Sequence, residues 1–288
     1  MNGAAVIVAY AIRESVRRRI FIVVLLLTLA FLALYGLGVR QAFSELDEFT
    51  AGSEAGAVLD SVTVAGTTLF GLSIFATLFL GAVLAVFLTL NVVRGDAERG
   101  LLQPLVVRPV GRTTLLLARF GAAAGVCAAY VWIVFTAALL ITHGFGDGWW
   151  PDRFLRPALA LGGAVVLVVG LSVLGSALFS GTANGIAIFM LFGGGLVAGL
   201  LGQIGEALGS STLERVATVS SWILPFEALY QEALHQISAD SFGLTRVALQ
   251  LGPFGGAEAG GVALWLYAAA YLGAVLGLAL LFFSRRDL

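Results

Sequence analysis

The chain has 288 residues, of which 59% are hydrophobic and 11% are charged, and its formal net charge is −1. Soluble domains carry about 25% charged residues, so this composition excludes a soluble globular protein and indicates an integral, all-α membrane protein. The sequence has no basic stripe with interleaved aromatic residues, so we expect no nucleic-acid partner.

Residues 1–19 have the pattern of an amphipathic helix that lies on the inner membrane surface. Apolar residues repeat on one helical face and charged residues fall on the other. The basic residues of this interfacial helix are Arg13, Arg17, Arg18 and Arg19. Two alternatives are a secretory leader and a plain basic flank that only sets topology. The apolar run that follows is too long for a typical leader.

Six apolar runs are long enough to cross the ~30 Å hydrocarbon core of a bilayer as helices, which takes about 20 residues. They cover residues 20–39, 67–93, 114–142, 157–179, 185–204 and 261–284. Residues 180–184 are weakly polar and contain a glycine, so we interpret them as a tight turn between the fourth and fifth runs. The sequence therefore predicts one transmembrane domain, residues 1–288, with six spans.

Between the first and second spans, residues 41–66 are polar and acidic, which indicates an outer loop. Between the second and third, residues 94–119 form the only charged segment longer than a few residues with a clear excess of arginine. Pro104 and Pro109 divide this segment into short, rigid pieces. We interpret it as a cytoplasmic docking element, in which apolar residues enter a partner pocket and arginines pair with carboxylates around it. These residues are Leu101, Leu102, Leu105, Arg99, Arg108 and Arg112. The alternative is that the arginines only set topology and bind lipid headgroups.

The longest segment between spans, residues 205–260, contains a further helical pattern. Phe226 and Tyr230 belong to its apolar face, Pro225 stands at its start, and Trp222 is suited to anchor it at the interface. The opposite face carries Glu227, Gln231, Glu232, His235 and Gln236. We predict a short amphipathic or partly re-entrant helix on the outer surface before the sixth span.

The distribution of arginine predicts the orientation. All sixteen basic residues are arginines. With both termini in the cytoplasm, eleven arginines lie inside and five outside, whereas four acidic residues lie inside and thirteen outside. Cytoplasmic segments are enriched in positive charge, so we expect cytoplasmic N- and C-termini.

Several kinds of chemistry are improbable for this chain. A nucleotide-binding P-loop requires a lysine, and the sequence has none. The two histidines have no neighbouring Cys or paired carboxylates, so no metal site is expected. A remote alternative is an intramembrane serine hydrolase built from Ser73 or Ser172 with His143. The predicted spans contain no Asp or Glu, which argues against proton or ion coupling, so energy must come from another polypeptide.

Residues 95–112 read GDAERGLLQPLVVRPVGR, and the chain ends in FSRRDL. With the basic N-terminal helix and six spans, this order of features resembles the permease subunit of ABC-2 type transporters, over most of the chain. The positions that match the family's loop are Glu98, Gly100, Leu102, Leu105, Pro109 and Arg112. Leu101 stands where threonine is common and Gly111 where serine is common.

The resemblance implies a non-enzymatic permease in the inner membrane of a prokaryote. It would pair with a second permease, usually its own copy, and with two ATP-binding cassette subunits that bind ATP and Mg, while this chain holds no cofactor. The coupling helix would run from Asp96 to Pro109, and the residues expected to contact the ATPase are Glu98, Arg99, Gly100, Leu101, Leu102, Leu105, Arg108, Pro109 and Arg112. The expected function is ATP-driven export or lipid movement. The alternative is a mechanotransmitting subunit that passes ATPase motion to an extracytoplasmic partner without transporting cargo.

Overall fold

The computed structural model describes residues 19–50, 55–90, 111–151, 153–238 and 259–285. In these ranges the chain forms eight α-helices and no strand. The helices are α1 Arg19–Thr50, α2 Ala55–Thr89, α3 Arg112–Phe145, α4 Leu155–Leu178, α5 Gly181–Leu208, α6 Ser211–Ile223, α7 Pro225–Ser238 and α8 Gly261–Ser284. Six of them, α1 to α5 and α8, are long and apolar enough to cross a membrane. The predicted all-helical fold with six spans is confirmed.

The helices differ from the predicted spans mainly at their ends. The polar stretch 41–66, predicted to be an outer loop, is largely helical, because α1 continues to Thr50 and α2 already begins at Ala55. Polar side chains do not stop a helix that has left the hydrocarbon. Gln41 donates from Nε2 to Glu45 Oε1 over 2.7 Å, one turn apart on the exposed surface, and such pairs stabilise helix.

The turn between the fourth and fifth spans is shorter than predicted. Only Phe179 and Ser180 separate α4 from α5, and residues 181–184 already belong to α5. The amide of Asn184 donates to Ser180 O over 2.8 Å, which closes the first turn of α5. Gly181 and Asn184 are therefore helical, although the sequence suggested a turn.

Helix α4 lies at the centre of the bundle. It packs against α2, α3, α5, α7 and α8, and buried residues occur on all its sides. Many of them are Gly, Ala or Ser, which let neighbouring helices approach closely in a membrane protein. Helices α1 and α8 lie at the periphery and expose most of their apolar residues.

Two hydrogen bonds fasten α1 to α3. Thr28 Oγ1 donates to Val24 O, so the Tyr130 hydroxyl is the donor in the 2.5 Å contact between Tyr130 and Thr28. Further along, Tyr35 Oη and Thr142 Oγ1 are 2.6 Å apart. From the first contact to the second, the residue numbers increase in both helices, so α1 and α3 run parallel to each other.

Helix α2 runs antiparallel to α3, and aromatic rings fill their contact. The Phe70 and Phe135 rings meet edge to face with centroids 5.2 Å apart, and Phe70 also lies 5.7 Å from the Trp149 ring. Gly66 leaves room for this indole, because a Cβ there would lie 2.5 Å from Trp149 Cγ.

The bundle thus has two ends. Trp149 and the starts of α2, α4 and α8 lie at one end, which we call the hairpin end because α6 and α7 lie there. We call the other end the opposite end.

Candidate functional site

Helices α6 and α7 form a helical hairpin that enters the bundle from the hairpin end. The first arm, α6, runs back along α5: a Cβ at Gly202 would lie 2.8 Å from Ala217 Cβ, and one at Gly205 would lie 2.9 Å from Leu213 Cβ. Glycines in α5 therefore allow the two backbones to touch. Gly209, in the left-handed conformation with φ 63°, ends α5 and reverses the chain.

The tip of the hairpin lies against α8, about two to three turns from the start of that helix. Tyr267 donates its hydroxyl hydrogen to Trp222 O, and Tyr271 donates to Ile223 O over 2.7 Å. These tyrosines follow the first residue of α8 by six and ten positions, which corresponds to about 9 and 15 Å along the helix. Irregular backbone is tolerated at membrane depth where the protein itself satisfies its carbonyls. Here the hydroxyl groups of the two tyrosines provide the hydrogen bonds to these carbonyls.

The second arm, α7, returns through the middle of the protein. Phe226 stacks on Phe192 of α5 with centroids 5.4 Å apart, and Tyr230 meets Phe75 of α2 edge to face at 6.3 Å. Phe226, Leu229 and Tyr230 are each only 1% exposed. This segment is therefore buried among the long helices and does not lie flat on the surface of the bundle.

Burial of α7 brings into the bundle polar groups from the face opposite its apolar side. Glu227, Gln231 and Glu232 are only 3%, 8% and 5% exposed. Gln231 donates from Nε2 to Glu227 Oε1. Glycine at 199 leaves space for this carboxylate, because a Cβ there would collide with Glu227 Oε1. These three polar residues are therefore buried, whereas an amphipathic helix lying on the outer surface would expose them to water.

Glu232 ties α7 to the start of α8. Its Oε2 accepts from the Gly260 amide at 2.6 Å, and its Oε1 accepts from Gln236 Nε2 at 2.7 Å.

Two adjoining cavities lie along the hairpin. The larger, about 500 Å³, lies between α5, α6 and α7, and the smaller, about 270 Å³, between the hairpin and the start of α8. They share Ser221, Ala228 and Gln231 as lining residues. We call the two together the hairpin groove. Glu206, Glu214 and Glu227 line its larger part, and Trp222, Leu264 and Tyr267 line its smaller part. Sequence reasoning missed this groove, because no local pattern records which helices meet there.

The residues predicted for the outer helix are divided between the two arms of the hairpin. Trp222 is in the last turn of α6 and 59% exposed, and its role as an interfacial anchor stays a prediction. Pro225 begins α7 and is buried, and Phe226 and Tyr230 are core residues. The structure thus brings Trp222 and Phe226 together at one hairpin tip.

The predicted docking segment lies outside the described residues. This applies to Glu98, Arg99, Gly100, Leu101, Leu102, Leu105, Arg108 and Pro109. Arg112 is the first residue of α3, next to the exposed Gly111 at its N-cap. In the interfacial segment, Arg13, Arg17 and Arg18 also lie outside the described residues, and Arg19 is the first residue of α1. The docking role of these residues stays a prediction.

A buried polar cluster joins three helices at the opposite end. Thr89 of α2 donates to Ser172 Oγ of α4 over 2.5 Å, and Asn184 of α5 donates from Nδ2 to Ser172 O over 3.0 Å. All three side chains are fully buried. Asn184 Oδ1 faces Gly175, where a Cβ would collide with it.

The hydrogen bonds of the candidate serines do not support a hydrolase. Ser73 donates to Phe70 O over 2.7 Å, and Ser172 belongs to the cluster with Thr89 and Asn184. His143 instead has its Nδ1 3.3 Å from Trp149 O, at the hairpin end. Within the described ranges, neither serine has the histidine as a hydrogen-bond partner.

Comparison with known proteins gives one family. A model of the ABC-2 family transporter protein matches residues 5–288, which is nearly the whole chain. No curated protein matches the chain.

Proposed function

The chain belongs to the ABC-2 family of transporter proteins, a family of membrane transporter components, and from this premise we propose that it is the permease subunit of an ABC exporter. The observation that carries the proposal is the family match over residues 5–288. In this proposal the six long helices provide the route, and a separate ATP-binding cassette subunit binds ATP and Mg and hydrolyses the nucleotide.

The energy reaches the permease through residues 96–109. A chain without lysine has no conventional P-loop, so an external ATPase is required. Pro104 and Pro109 restrict the segment, and a rigid segment transmits displacement better than a flexible loop. Leu102 and Leu105 enter a pocket of the ATPase, and the arginines beside them pair with carboxylates at its rim.

The orientation follows the arginine count. Eleven arginines against five favour cytoplasmic N- and C-termini in the inner membrane of a prokaryote. Helix α3 begins and α8 ends on the cytoplasmic side in this orientation, and the hairpin end faces outward. Residues 1–19 then form the interfacial helix beside the docking segment.

A second copy of this chain completes the transporter in our proposal. Helices α1 and α8 expose broad apolar faces at the periphery of the bundle. In the bilayer such faces contact lipid or another subunit, and the family's usual pairing of two permeases favours a homodimer.

The docking role can be tested by co-purification from native membranes. We expect the double variant Leu102→Asp/Leu105→Asp to insert normally but to lose most of the co-purified ATPase, because two leucines that enter the ATPase pocket become charged. Ser211→Asp/Thr212→Asp is the matched control. It adds the same two charges at exposed positions in the first turn of α6, away from the docking segment, where acidic side chains are favourable. The control retains the ATPase. Unchanged ATPase recovery with the double variant would refute the docking role.

The same pull-down separates export from mechanotransmission. A mechanotransmitting subunit passes motion to a protein on the outer face, so that protein would co-purify in stoichiometric amount. We favour export because the hairpin groove beside the buried α7 offers a cavity of about 500 Å³, in which a transported molecule can be held. A stoichiometric outer-face partner would overturn this preference and leave the ATPase docking intact.

A further inference from the structure

The two parts of the hairpin groove differ sharply in chemistry. Three carboxylates, Glu206, Glu214 and Glu227, line the larger cavity, and no arginine is among its lining residues in the described part of the chain. The smaller cavity has no charged lining residue there and is bounded by Trp222, Leu264 and Tyr267. The groove is therefore anionic toward α5 and apolar and aromatic toward α8.

The buried carboxylate is the strongest feature of the anionic part. Glu227 is 3% exposed and lines the cavity next to its hydrogen-bond partner Gln231. Glycine at 199 keeps the space around its carboxylate open, because any side chain there would collide with it. A carboxylate withdrawn from water attracts a cation more strongly than an exposed one, because the surrounding dielectric constant is lower.

Gln203 gives an independent indication that the groove holds a ligand. Its side chain lines the larger cavity, and its Nε2 is buried with no hydrogen-bond acceptor among the described residues. A buried donor without an acceptor costs about 1–3 kcal/mol. A bound molecule that carries an oxygen would supply the missing acceptor.

The spacing of the carboxylates argues against a metal ion. In the ranges that the structure describes, no three Asp, Glu, His or Cys side chains come together as metal ligands. Carboxylates that surround a cavity of about 500 Å³ without converging suit a larger cation with diffuse charge. The aromatic side chains at the other part add a surface on which an ammonium group or its apolar substituents pack favourably.

We propose that the hairpin groove binds an amphipathic organic cation, a quaternary ammonium or protonated amine whose link to an apolar tail carries an oxygen that accepts from Gln203 Nε2. Its charged group lies beside Glu227, with Glu214 and Glu206 at the rim, and its apolar part lies against Trp222, Leu264 and Tyr267. Such an ammonium group comes either from a soluble amphiphile or from a lipid headgroup. The chemistry recognised is the same in both cases.

The test measures binding to the purified chain without any ATPase. The chain is placed in phosphatidylglycerol nanodiscs and titrated calorimetrically with octanoylcholine, whose ester oxygens can accept from Gln203, and octanesulfonate serves as the anion with an eight-carbon chain. We expect saturable binding of the cation only. Glu227→Gln keeps the shape of the side chain but removes its charge, and we expect an apparent Kd at least about tenfold higher. Trp222→Ala weakens binding by a few-fold.

Matched variants keep the result interpretable. Glu45→Gln removes an exposed carboxylate from α1, at the same end of the bundle but away from the groove, and should leave the Kd unchanged. If Glu227→Gln fails to fold, Glu214→Gln takes its place, because Glu214 is exposed and its loss does not disturb the core. Equal heats from the cation and the sulfonate, or equal Kd values for all variants, would overturn the proposal.

Nanodiscs of phosphatidylcholine distinguish the two sources of the ammonium group. If a lipid headgroup occupies the groove, phosphatidylcholine competes with the probe. The Kd of the Glu227→Gln variant divided by the Kd of the unsubstituted chain is then smaller in phosphatidylcholine than in phosphatidylglycerol. An unchanged ratio indicates a soluble amphiphile. Both outcomes support the site. Because no nucleotide hydrolysis is involved, failure of this binding leaves the proposed permease function standing, and failure of ATPase docking leaves the groove untouched.

Discussion

Asn184 shows how one polar side chain fixes a helix contact inside the bundle. Its Nδ2 donates to Ser172 O, and its Oδ1 faces Gly175, which has no side chain to block it. Hydrogen bonds between membrane helices contribute about 0.6–2 kcal/mol each. The contact therefore depends as much on the empty space at Gly175 as on the hydrogen bond itself.

This dependence gives a prediction for unfolding of the purified protein in detergent. Gly175→Ala should destabilise the fold by about 1–3 kcal/mol, because its Cβ collides with the Asn184 carboxamide. In an Asn184→Ala background the same change should cost much less, since the colliding group is gone. Thermal unfolding of the two single variants and the double variant measures this coupling.

Gly193→Ala is the control for that cycle. Gly193 lies in α5 like Asn184, but a Cβ there meets nothing within 4 Å. We expect it to be neutral or slightly stabilising, because alanine has the higher helix propensity. Additive effects of Gly175→Ala and Asn184→Ala would contradict the proposed steric relation between them.

The hairpin of α6 and α7 depends on two tyrosines from another helix. Tyr267 and Tyr271 donate to the carbonyls of Trp222 and Ile223, which lie at the end of α6. An unsatisfied carbonyl away from water is costly, so removal of both phenols should loosen the tip while the apolar contacts of α7 persist.

We expect Tyr267→Phe/Tyr271→Phe to raise amide hydrogen exchange around residues 220–226, by a factor that corresponds to about 1–2 kcal/mol. Tyr130→Phe is the matched control, because it removes a phenol that binds Thr28 between α1 and α3 instead. This control should raise amide hydrogen exchange only in α1 and α3. Equal exchange at the tip in both variants would show that the phenols do not hold the hairpin.

The sequence predicts elements well where hydropathy alone decides. All six spans were identifiable, because about 20 consecutive apolar residues have few other uses. The helix ends were not, since hydropathy falls at residues 41–50 whereas helix α1 continues to Thr50. This limit of sequence analysis is physical. Hydropathy indicates which residues enter the hydrocarbon, whereas a helix continues wherever its backbone amides and carbonyls are hydrogen-bonded.

Burial of α7 was beyond the sequence for a different reason. Its pattern has an apolar and a polar face, and in a surface helix the polar face meets water. Here that face meets α5, where Gly199 leaves room for Glu227 and Gln231 provides a hydrogen bond. The information lies in a glycine of another helix, 28 positions earlier in the sequence.

At the scale of the whole molecule, the centre and the periphery have different roles. Helix α4 contacts five other helices and positions the hairpin, whereas α1 and α8 leave apolar faces uncovered. Helix α1 has 32 residues, or about 48 Å, which exceeds the ~30 Å hydrocarbon core. Its last turns therefore project beyond the hydrocarbon at the hairpin end, where an aqueous reagent reaches them.

This projection allows the orientation of the whole molecule to be measured. Cys127 is the only cysteine and is fully buried, so the unsubstituted chain provides an unlabelled background. Ser44, near the end of α1, and Thr113, at the start of α3, are both exposed and lie at different ends. With eleven arginines on the proposed cytoplasmic side, a membrane-impermeant maleimide applied to intact cells should label Ser44→Cys and not Thr113→Cys. Permeabilised cells should label both. Labelling of Thr113→Cys alone in intact cells would invert the topology, and the hairpin groove would then face the cytoplasm and receive its ligand from that side.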